Sequence, residues 1–364
     1  MNFLINCSNL RLGGGIQVAH SFINELTSRE ENIVIVCTTE ILSQIDRKIF
    51  PLNIKFIEYN IKPSLFSSNS FLDKIVKQEK IECVFTVFGP SYWRPKVKHI
   101  CGYAKPHYVY KESPFFRMLS LKQRLILLIK ETLHLRDFKN NSDVLVSENE
   151  DVTSKLAEMF DKKIVTVSNN HHQIYDIPKD WDRSIRYRDS KHCYLLTISA
   201  NYLHKNLAII PKVIESLINK GYFNFKFVLT INESELQISE SHKNYTIFLG
   251  KVAINQCPSL YEQSDFMFLP TLLECFSASY AEAMKMGKPI ITSDLTFARG
   301  ICQDAAIYFD PINPDDIADK IIQLYENSSL QEELIQKGRN RLSFFLKASE
   351  RANQYIQLIL DKTL

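Results

Sequence analysis

Apolar runs of strand length alternate with helix-type patterns along nearly the whole chain. This alternation indicates parallel sheets that are covered by helices on both faces, the pattern of an α/β fold. Candidate strands in the first half are Asn2–Cys7, Ile33–Cys37, Ile54–Glu58, Glu82–Phe88, Lys98–Tyr103, Val144–Ser147 and Ile164–Val167. Candidate strands in the second half are Cys193–Ser199, Lys226–Ile231, Tyr245–Leu249, Phe266–Leu269, Pro289–Thr292 and Ala306–Phe309.

A polar stretch, Asn169–Lys191, separates the two sets of strands and is interpreted as a linker between domains. A chain of 364 residues is long enough for two ordinary domains and too long for one compact core. The expected division is an N-terminal domain over 1–170 and a C-terminal domain over 171–344. Helical patterns at the end of the chain predict helices at about Asp315–Glu326, Leu330–Lys337 and Leu342–Leu364.

The stretch Thr271–Asp294 continues a strand into a polar turn, a helix and a further strand, which together predict one β-α-β unit. The start of this helix is expected to expose free amides, from about Cys275 to Ser279, and a dipole that favours an anion. Glu274 and Glu282 lie on either side of this helix start. Such a site suits a ligand with a negative centre and hydroxyl groups at both ends. A nucleotide-sugar has this layout, because its diphosphate lies between the ribose and the hexose.

The spacing of these two glutamates excludes one kind of site. If both were helical, they would be about 12 Å apart along the axis and about 80° around it. They could not act together on one bond, as the paired carboxylates of a glycosidase do. The simpler alternative is that Glu274 is an ordinary turn residue and Glu282 a solvated helix residue.

Two further elements are candidates for binding phosphate. Gly13–Gly15 follow the first strand and precede a helix, where glycine lets backbone amides approach a ligand. The run is not a dinucleotide fingerprint, because Val18 stands in the place of the third glycine, nor is it a Walker loop. Lys205 follows the strand Cys193–Ser199, at a turn where a lysine can hold a diphosphate. A flexible turn and a solvated lysine are the respective alternatives.

Composition narrows the class of protein. The net charge of +3 is too small to indicate a nucleic-acid partner. The eight cysteines occur singly, and no histidine or cysteine has metal-ligand spacing, so reduced thiols and no metal are predicted. No apolar run reaches membrane-spanning length and the N-terminus lacks the layout of a signal peptide, which predicts a cytosolic protein.

The segment 111–139 interleaves basic residues with apolar ones. A basic amphipathic helix of this kind can lie on an anionic membrane surface, as a peripheral protein does. A core helix with a solvated basic face explains the pattern equally well. Both interpretations are carried forward to the structure.

The run around Glu274 and Glu282 resembles the signature of the retaining glycosyltransferases of family four, which have the GT-B fold. The residues that carry the resemblance are Pro270, Glu274, Phe276, Glu282, Ala283, Met284, Gly287 and Pro289. The chain departs from the family at Cys275 and Ser277, where the family carries glycine, and these side chains narrow the turn near the donor sugar. The resemblance implies two Rossmann-like doubly wound domains that face a cleft, with the final helix, 345–364, packing back onto the first domain.

The resemblance also implies roles for individual residues. Lys205 would hold the diphosphate of the donor, Glu274 the sugar hydroxyls and Glu282 the ribose. His107, in the loop after the strand Lys98–Tyr103, is the candidate for the family's histidine that faces the donor sugar, whereas His99 is expected to be structural. The residues expected to bind the donor are Gly14, Gly15, Lys205, Glu274, Cys275, Phe276, Ser277, Ala278 and Glu282.

The implied activity is metal-independent transfer of a sugar from a nucleotide-sugar to a glycan or lipid-linked acceptor, with retention of configuration and without a cofactor. The composition, rich in isoleucine, lysine and asparagine, suggests a low-GC bacterial gene and the assembly of surface polysaccharide, such as O-antigen or capsule. Two alternatives stay open. One is a degenerate GT-B subunit that binds a partner enzyme. The other is an NAD-dependent oxidoreductase that uses the glycine loop, with Glu40 on the ribose.

Overall fold

The structure, a computed structural model, forms two compact units. It describes residues 1–11, 13–63, 67–361 and 363. The first unit consists of Met1–Val109, Leu119–Asn169 and Leu346–Leu364. The second unit consists of Tyr110–Met118 and Asn170–Phe345. The segment Tyr110–Met118 therefore groups with the second unit, although the sequence-based division places it in the first.

A parallel seven-stranded sheet forms the centre of the first unit. Its strands are β1 (Asn2–Cys7), β2 (Asn32–Cys37), β3 (Ile54–Glu58), β4 (Cys83–Thr86), β5 (Lys98–Gly102), β6 (Val144–Ser147) and β7 (Lys163–Thr166). The strand order is β3-β2-β1-β4-β5-β6-β7. Because the order reverses between β1 and β4, their carboxyl ends border the crevice in which doubly wound sheets bind ligands.

Helices cover both faces of this sheet. They are α1 (Gly14–Asn24), α2 (Thr39–Leu42), α3 (Ser70–Gln78), α4 (Pro106–Val109), α5 (Leu121–Asn141), α6 (Glu150–Met159) and α14 (Ala348–Leu360). Alternate residues of β1 explain the two layers, since Phe3 and Ile5 pack into one apolar cluster and Leu4 packs into another. The chain's last helix, α14, packs on α1, where the ring of Tyr355 lies edge-on to Phe22 with centroids 5.1 Å apart.

A second parallel sheet, of six strands, forms the centre of the second unit. Its strands are β8 (Cys193–Thr197), β9 (Phe225–Leu229), β10 (Thr246–Phe248), β11 (Phe266–Leu269), β12 (Ile290–Ser293) and β13 (Ala306–Phe309). The strand order is β10-β9-β8-β11-β12-β13, so the reversal point lies between β8 and β11. The helices of this unit are α7 (Ile210–Asn219), α8 (Glu240–Lys243), α9 (Cys257–Gln263), α10 (Ala278–Lys285), α11 (Thr296–Cys302), α12 (Pro314–Glu326) and α13 (Ser328–Leu342).

The predicted α/β class with two doubly wound sheets is confirmed. Every strand expected from the sequence is present with ends that agree within two residues, which is the usual uncertainty of a boundary. The predicted helix from Leu342 is wrong at its start, because α13 runs to Leu342 and α14 begins only at Ala348. The apolar residues between the two helices give a helix-type pattern although they are not helical, and Phe345 packs edge-on against Phe276. The predicted end of that helix, Leu364, lies outside the described residues.

The polar stretch interpreted as a linker packs closely on the second unit. The guanidinium of Arg183 forms a bidentate pair with Glu262 at 2.9 and 3.1 Å. The hydroxyl of Tyr187 donates to the carbonyl oxygen of Leu260 at 2.6 Å. The linker interpretation is therefore wrong for most of this stretch, because polar residues that bond to a neighbouring helix give the same sequence pattern as a free connection.

Candidate functional site

Lys205 lies in a short 3-10 turn, Leu203–Lys205, that follows β8. The turn ends at Asn206, whose φ of 57° is left-handed, a conformation that asparagine tolerates better than most residues. The side-chain amide of Asn206 donates to the carbonyl oxygen of Pro311 at 2.9 Å and fixes the turn. Lys205 is thereby held at the carboxyl end of a central strand.

Glu274 lies in the loop that follows β11, the strand next to β8. Its Oε1 forms a salt bridge with the Nζ of Lys205 and accepts a hydrogen bond of 3.1 Å from the Thr271 hydroxyl. The two side chains of the ion pair are only 15% and 12% exposed, so water screens them weakly. The structure thus brings these two sequence-predicted residues together at the reversal point of the second sheet.

Backbone bonds tie the two loops to each other. The amide of Leu272 donates to the carbonyl oxygen of His204 at 2.7 Å. The Thr271 hydroxyl lies 3.2 Å from the same oxygen and shares its single proton between this oxygen and Glu274. Burial lowers the pKa of His204 to about 4, and the charge of Lys205 acts in the same direction. His204 is therefore neutral at pH 7, and Lys205 is the cation beside Glu274.

Helix α10 begins at Ala278, after the N-cap residue Ser277. The expectation that helical amides start at about Cys275 is wrong, because residues 270–277 form an irregular loop in which Cys275 is buried. The hydroxyl of Ser279, in the first turn, lies 3.5 Å from the carbonyl oxygen of Ile198, which directly follows β8. The amides of this turn therefore lie beside the carboxyl end of β8.

The far end of α10 is closed by a Schellman motif. The amide of Gly287 donates to the carbonyl oxygen of Met284 at 3.2 Å, and that of Lys288 donates to Ala283 at 2.8 Å. Gly287 has a φ of +61°, which explains why glycine stands here. The sequence-based end of this helix is confirmed.

Glu282 lies on the buried side of α10 and is only 7% exposed, which rules out the interpretation as a solvated helix residue. The hydroxyl of Tyr261 lies 3.3 Å from its Oε2, and the hydroxyl of Tyr175 also faces the carboxylate. Burial raises the pKa of Glu282 to about 7, against a smaller lowering by the two hydroxyls. Its carboxyl group therefore changes charge near neutral pH.

The glycine loop follows β1 at the reversal point of the first sheet. Gly13 has a φ of +78° and precedes α1, which begins at Gly14. Among the described residues, nothing lies within 4 Å of a Cβ placed on Gly14, whereas one on Gly15 would lie 3.4 Å from the ring of Phe88. The backbone at Gly14 is therefore accessible to a ligand.

The two histidines of the first unit differ in surroundings. His107 lies on the four-residue helix α4 and is partly buried, with its ring 6.5 Å from that of Tyr108. His99 is fully buried, and its Nε2 bonds to the hydroxyl of Thr86 at 2.8 Å. Burial lowers the pKa of His99 to about 4, in agreement with a structural role. The role of His107 stays a prediction.

Arg299, on α11, lies a few residues beyond β12. Its guanidinium pairs with both carboxylate oxygens of Asp294 and lies 4.3 Å above the ring of Tyr308. Arg299 is thus paired with groups of the preceding loop and of β13. Within the described ranges, no group of three or more histidine, cysteine, aspartate or glutamate residues is arranged to hold a metal ion.

Helix α5 carries a row of exposed apolar residues. Leu121, Leu125, Leu128 and Ile129 recur at helical spacing and are 54–84% exposed. Its buried residues, Asp137, Phe138 and Asn141, all lie in the last two turns. The interpretation of 111–139 as a core helix is therefore wrong. Across the part of the chain that is described, no helix is both long and apolar enough to span a bilayer.

Comparison with known proteins finds a family match within the second unit. Residues 188–341 match the family model of the glycosyl transferases group 1. An uncharacterized glycosyltransferase of Methanocaldococcus jannaschii is 21% identical over 231 residues, which cover 61% of this chain and 62% of that protein. O-antigen chain mannosyltransferase B of Escherichia coli is 30% identical over 91 residues, 25% of this chain and 24% of that protein.

Solved structures match the fold over nearly the whole chain. WaaG, a glycosyltransferase involved in lipopolysaccharide biosynthesis, matches with a TM-score of 0.69 and 12% identity, covering 99% of this chain and 100% of that one. HepE of Anabaena, in complex with UDP and glucose, matches with a TM-score of 0.66 and 11% identity, covering 98% of both chains. The fold is GT-B, as the signature around Glu274 implies. The chain spans less than two thirds of the length of the curated relatives named above.

Sequence reasoning missed the residues that support the site. Thr271 bonds to Glu274 on the same loop, whereas Tyr175 and Tyr261 face Glu282 from distant parts of the chain, and Tyr175 comes from the stretch interpreted as a linker. Tyrosine and threonine carry no spacing signal when their partners are distant in the chain. Thr271 alone had a local signal, because it lies three residues before Glu274 on the same loop.

Proposed function

We propose that the protein is a retaining glycosyltransferase that moves a sugar from a nucleotide-sugar donor to a hydroxyl group of a glycan or a lipid-linked saccharide. The observation that carries the proposal is the largely buried ion pair of Lys205 and Glu274 at the reversal point of the second sheet, beside the first turn of α10. The match of residues 188–341 to the glycosyl transferases group 1 model supports it. Among the described residues of the glycine loop, none favours the oxidoreductase alternative.

The proposed chemistry assigns the leaving group to the positive end of the site. As the bond between the anomeric carbon and the phosphate oxygen breaks, its electron pair moves to the diphosphate. Lys205 and the amides of the first turn of α10 stabilise the growing negative charge, as a pre-organised anion site does. The acceptor oxygen bonds to the anomeric carbon on the face that the phosphate leaves, and its proton passes to the departing phosphate oxygen.

Glu274 and Glu282 act on the two ends of the donor in this proposal. Glu274, already oriented by Thr271 and Lys205, accepts hydrogen bonds from the sugar hydroxyls and fixes the ring. Glu282 accepts from the ribose, in its ionised form above pH 7. Because Lys205 carries three N–H groups, it can keep its bond to Glu274 and still donate to a phosphate oxygen.

A donor panel with matched variants tests the proposed activity. Release of nucleoside diphosphate is measured with UDP-, GDP-, ADP- and dTDP-sugars, in EDTA and with added manganese. We expect turnover with one donor class in EDTA, a fall of about a hundredfold in Lys205→Ala, and a higher donor KM in Glu282→Ala. Lys191→Ala, an exposed lysine outside the site, is the control. Turnover that requires manganese contradicts the metal-independent step.

We also propose that the enzyme works at an anionic membrane surface in the assembly of surface polysaccharide. The match to an O-antigen chain mannosyltransferase and the fold match to WaaG support this setting. An acceptor carried on a lipid would be reached from the cytosolic face, so the protein would be cytosolic and peripheral. Helix α5 is the surface that would touch the lipid.

The charges around α5 distinguish a lipid surface from a second copy of the chain. At about 100° per residue, Arg124 and Lys130 fall on opposite sides of the apolar row of Leu121, Leu125 and Ile129. An interfacial helix has this arrangement, with its cations at the level of anionic headgroups. Two copies that paired along this row would bring like charges together, which disfavours a dimer through α5.

A further inference from the structure

A strap from the first half of the chain, Tyr110–Met118, belongs to the second unit. It leaves the first unit after α4 and returns to it just before Ser120, the N-cap of α5. The strap folds into a 3-10 turn, Pro114–Met118. Its residues Tyr110 and Phe115 are 2% and 5% exposed, so it is packed and does not hang free.

Two contacts join the strap to the loops of the candidate site, and a third joins it to α11. The hydroxyl of Ser113, 5% exposed, donates to the carbonyl oxygen of Leu272 at 2.7 Å. The ring of Phe115 lies edge-on to His204, with centroids 6.4 Å apart. The ring of Tyr110 lies edge-on to Phe297 at 5.7 Å.

The hydrogen bond from Ser113 is accepted by Leu272, the residue that connects the two loops of the site. Leu272 donates its own amide to His204, the residue before Lys205, and follows Thr271, which donates to Glu274. A single strap hydroxyl therefore completes the backbone hydrogen bonding of Leu272, the residue whose amide bonds to the loop of Lys205. Leu272 is fully buried, so its carbonyl oxygen has no access to bulk water if Ser113 is removed.

We propose that Ser113 is a positioning residue for the Lys205–Glu274 pair and that the strap is a built-in part of the donor site. Ser113 touches neither charged side chain in the structure; it acts through the Leu272 peptide. This inference rests on the proposed function and adds a residue that neither the family signature nor the matched domain contains, since that domain begins at residue 188. Small displacements of such loops are costly to a reaction that depends on orientation.

Ser113→Ala and a matched control separate positioning from simple packing. Ser142 is the control, because its hydroxyl is also 5% exposed and also donates to a backbone carbonyl at 2.7 Å, that of Phe138 in the first unit. We expect Ser113→Ala to lower kcat about tenfold with little change in the affinity for free nucleoside diphosphate. Ser142→Ala should lower the thermal midpoint similarly and leave kcat unchanged, and Ser113→Thr, which restores the hydroxyl, should recover turnover.

Hydrogen exchange gives a readout that does not need activity. In full-length Ser113→Ala we expect faster exchange of the amides in 271–274 than in wild type, and no such change in Ser142→Ala. Unchanged exchange there, or a kcat loss that Ser142→Ala reproduces, overturns the inference. A wild type that turns over no donor while Ser113→Ala still loosens 271–274 contradicts the proposed function and leaves the positioning by Ser113 supported.

Discussion

The ion pair of Lys205 and Glu274 shows how single residues prepare this site. The side chains of Lys205 and Glu274 are 15% and 12% exposed, and their pairing offsets part of the cost of removing each charge from water. Thr271 adds a hydrogen bond and fixes the carboxylate plane. Removal of one partner would leave the other charge buried without its counterpart, so Lys205→Ala should affect the loop as well as the chemistry.

Glu282 predicts a pH dependence of stability. Its folded-state pKa of about 7 lies above the ordinary value of 4.5, so the folded chain holds this proton more tightly than the unfolded chain. The free energy of unfolding should therefore decrease as pH rises from 4.5 to 7, by about 3 kcal/mol from this group. Glu282→Gln, which stays neutral, should remove that decrease.

Urea unfolding at pH 5 and pH 8 measures the effect. Wild type should lose more stability between the two values than Glu282→Gln does. Glu40→Gln, a change of an exposed glutamate in the first unit, serves as the control and should behave as wild type. Equal losses in wild type and Glu282→Gln would show that Glu282 is solvated in the folded chain.

At the scale of elements, the Schellman motif at the end of α10 makes a prediction about glycine. A Cβ on Gly287 would lie 3.6 Å from Arg339 and 3.7 Å from Ile335, which are ordinary contacts. The cost of Gly287→Ala should therefore come from its φ of +61° and amount to about 1–2 kcal/mol.

A second glycine gives the contrast. Gly14 begins α1 without a left-handed φ and with open space around it, so Gly14→Ala should leave the free energy of unfolding unchanged or slightly higher. Guanidinium unfolding of both variants decides the matter. Similar losses in the two would mean that the left-handed φ of Gly287 is not the reason why glycine is required there.

Helix α5 predicts lipid binding that depends on charge. The protein should co-sediment with vesicles that contain phosphatidylglycerol and much less with phosphatidylcholine alone. The double change Leu125→Gln with Ile129→Gln should weaken binding at least about tenfold, because each side chain buries apolar area worth about 1.5–3 kcal/mol. Leu52→Gln, a change of a leucine that is 99% exposed elsewhere, should have no effect.

Sedimentation without lipid tests whether a second copy of the chain binds the exposed face of α5 instead. A dimer that Leu125→Gln dissociates, together with vesicle binding that the same change leaves intact, would assign α5 to self-association. Loss of vesicle binding in Arg124→Gln with Lys130→Gln would support the headgroup interaction. Vesicle binding should be weakened more by changes in the apolar row than by changes of the two charges, because the row exposes a large apolar area.

At the scale of the whole molecule, the fold could be predicted because its signals are local. Each strand is a short apolar run, and the apolar residues of each long helix recur every three to four positions. The elements and their alternation, which indicates parallel sheets, therefore follow from patterns within a few residues. The two glutamates could be predicted as site residues from a signature that fixes type and spacing together, and Lys205 from its place after a predicted strand. Their supporting residues could not, since Ser113 meets Leu272 across 159 positions and Tyr261 meets Glu282 only after folding.

Helix α5 and the linker stretch show the same limit. An apolar row on a helix predicts burial, yet Leu121 and Leu125 are exposed. A polar stretch predicts a solvent-exposed connection, yet the hydroxyl of Tyr187 bonds to Leu260. Periodicity reports which residues share a face and does not report what covers that face. That information comes only from the tertiary structure.

Because the strap from the first half of the chain belongs to the second unit, the two halves cannot be exchanged between proteins at a single junction. A fragment that begins at residue 170 would contain the loops of the candidate site without Ser113, and a chimera joined there would have another sequence in place of residues 110–118. Grafting of a donor specificity into this scaffold should therefore carry 110–118 along with 170–345. Natural recombination at the same seam would meet the same requirement.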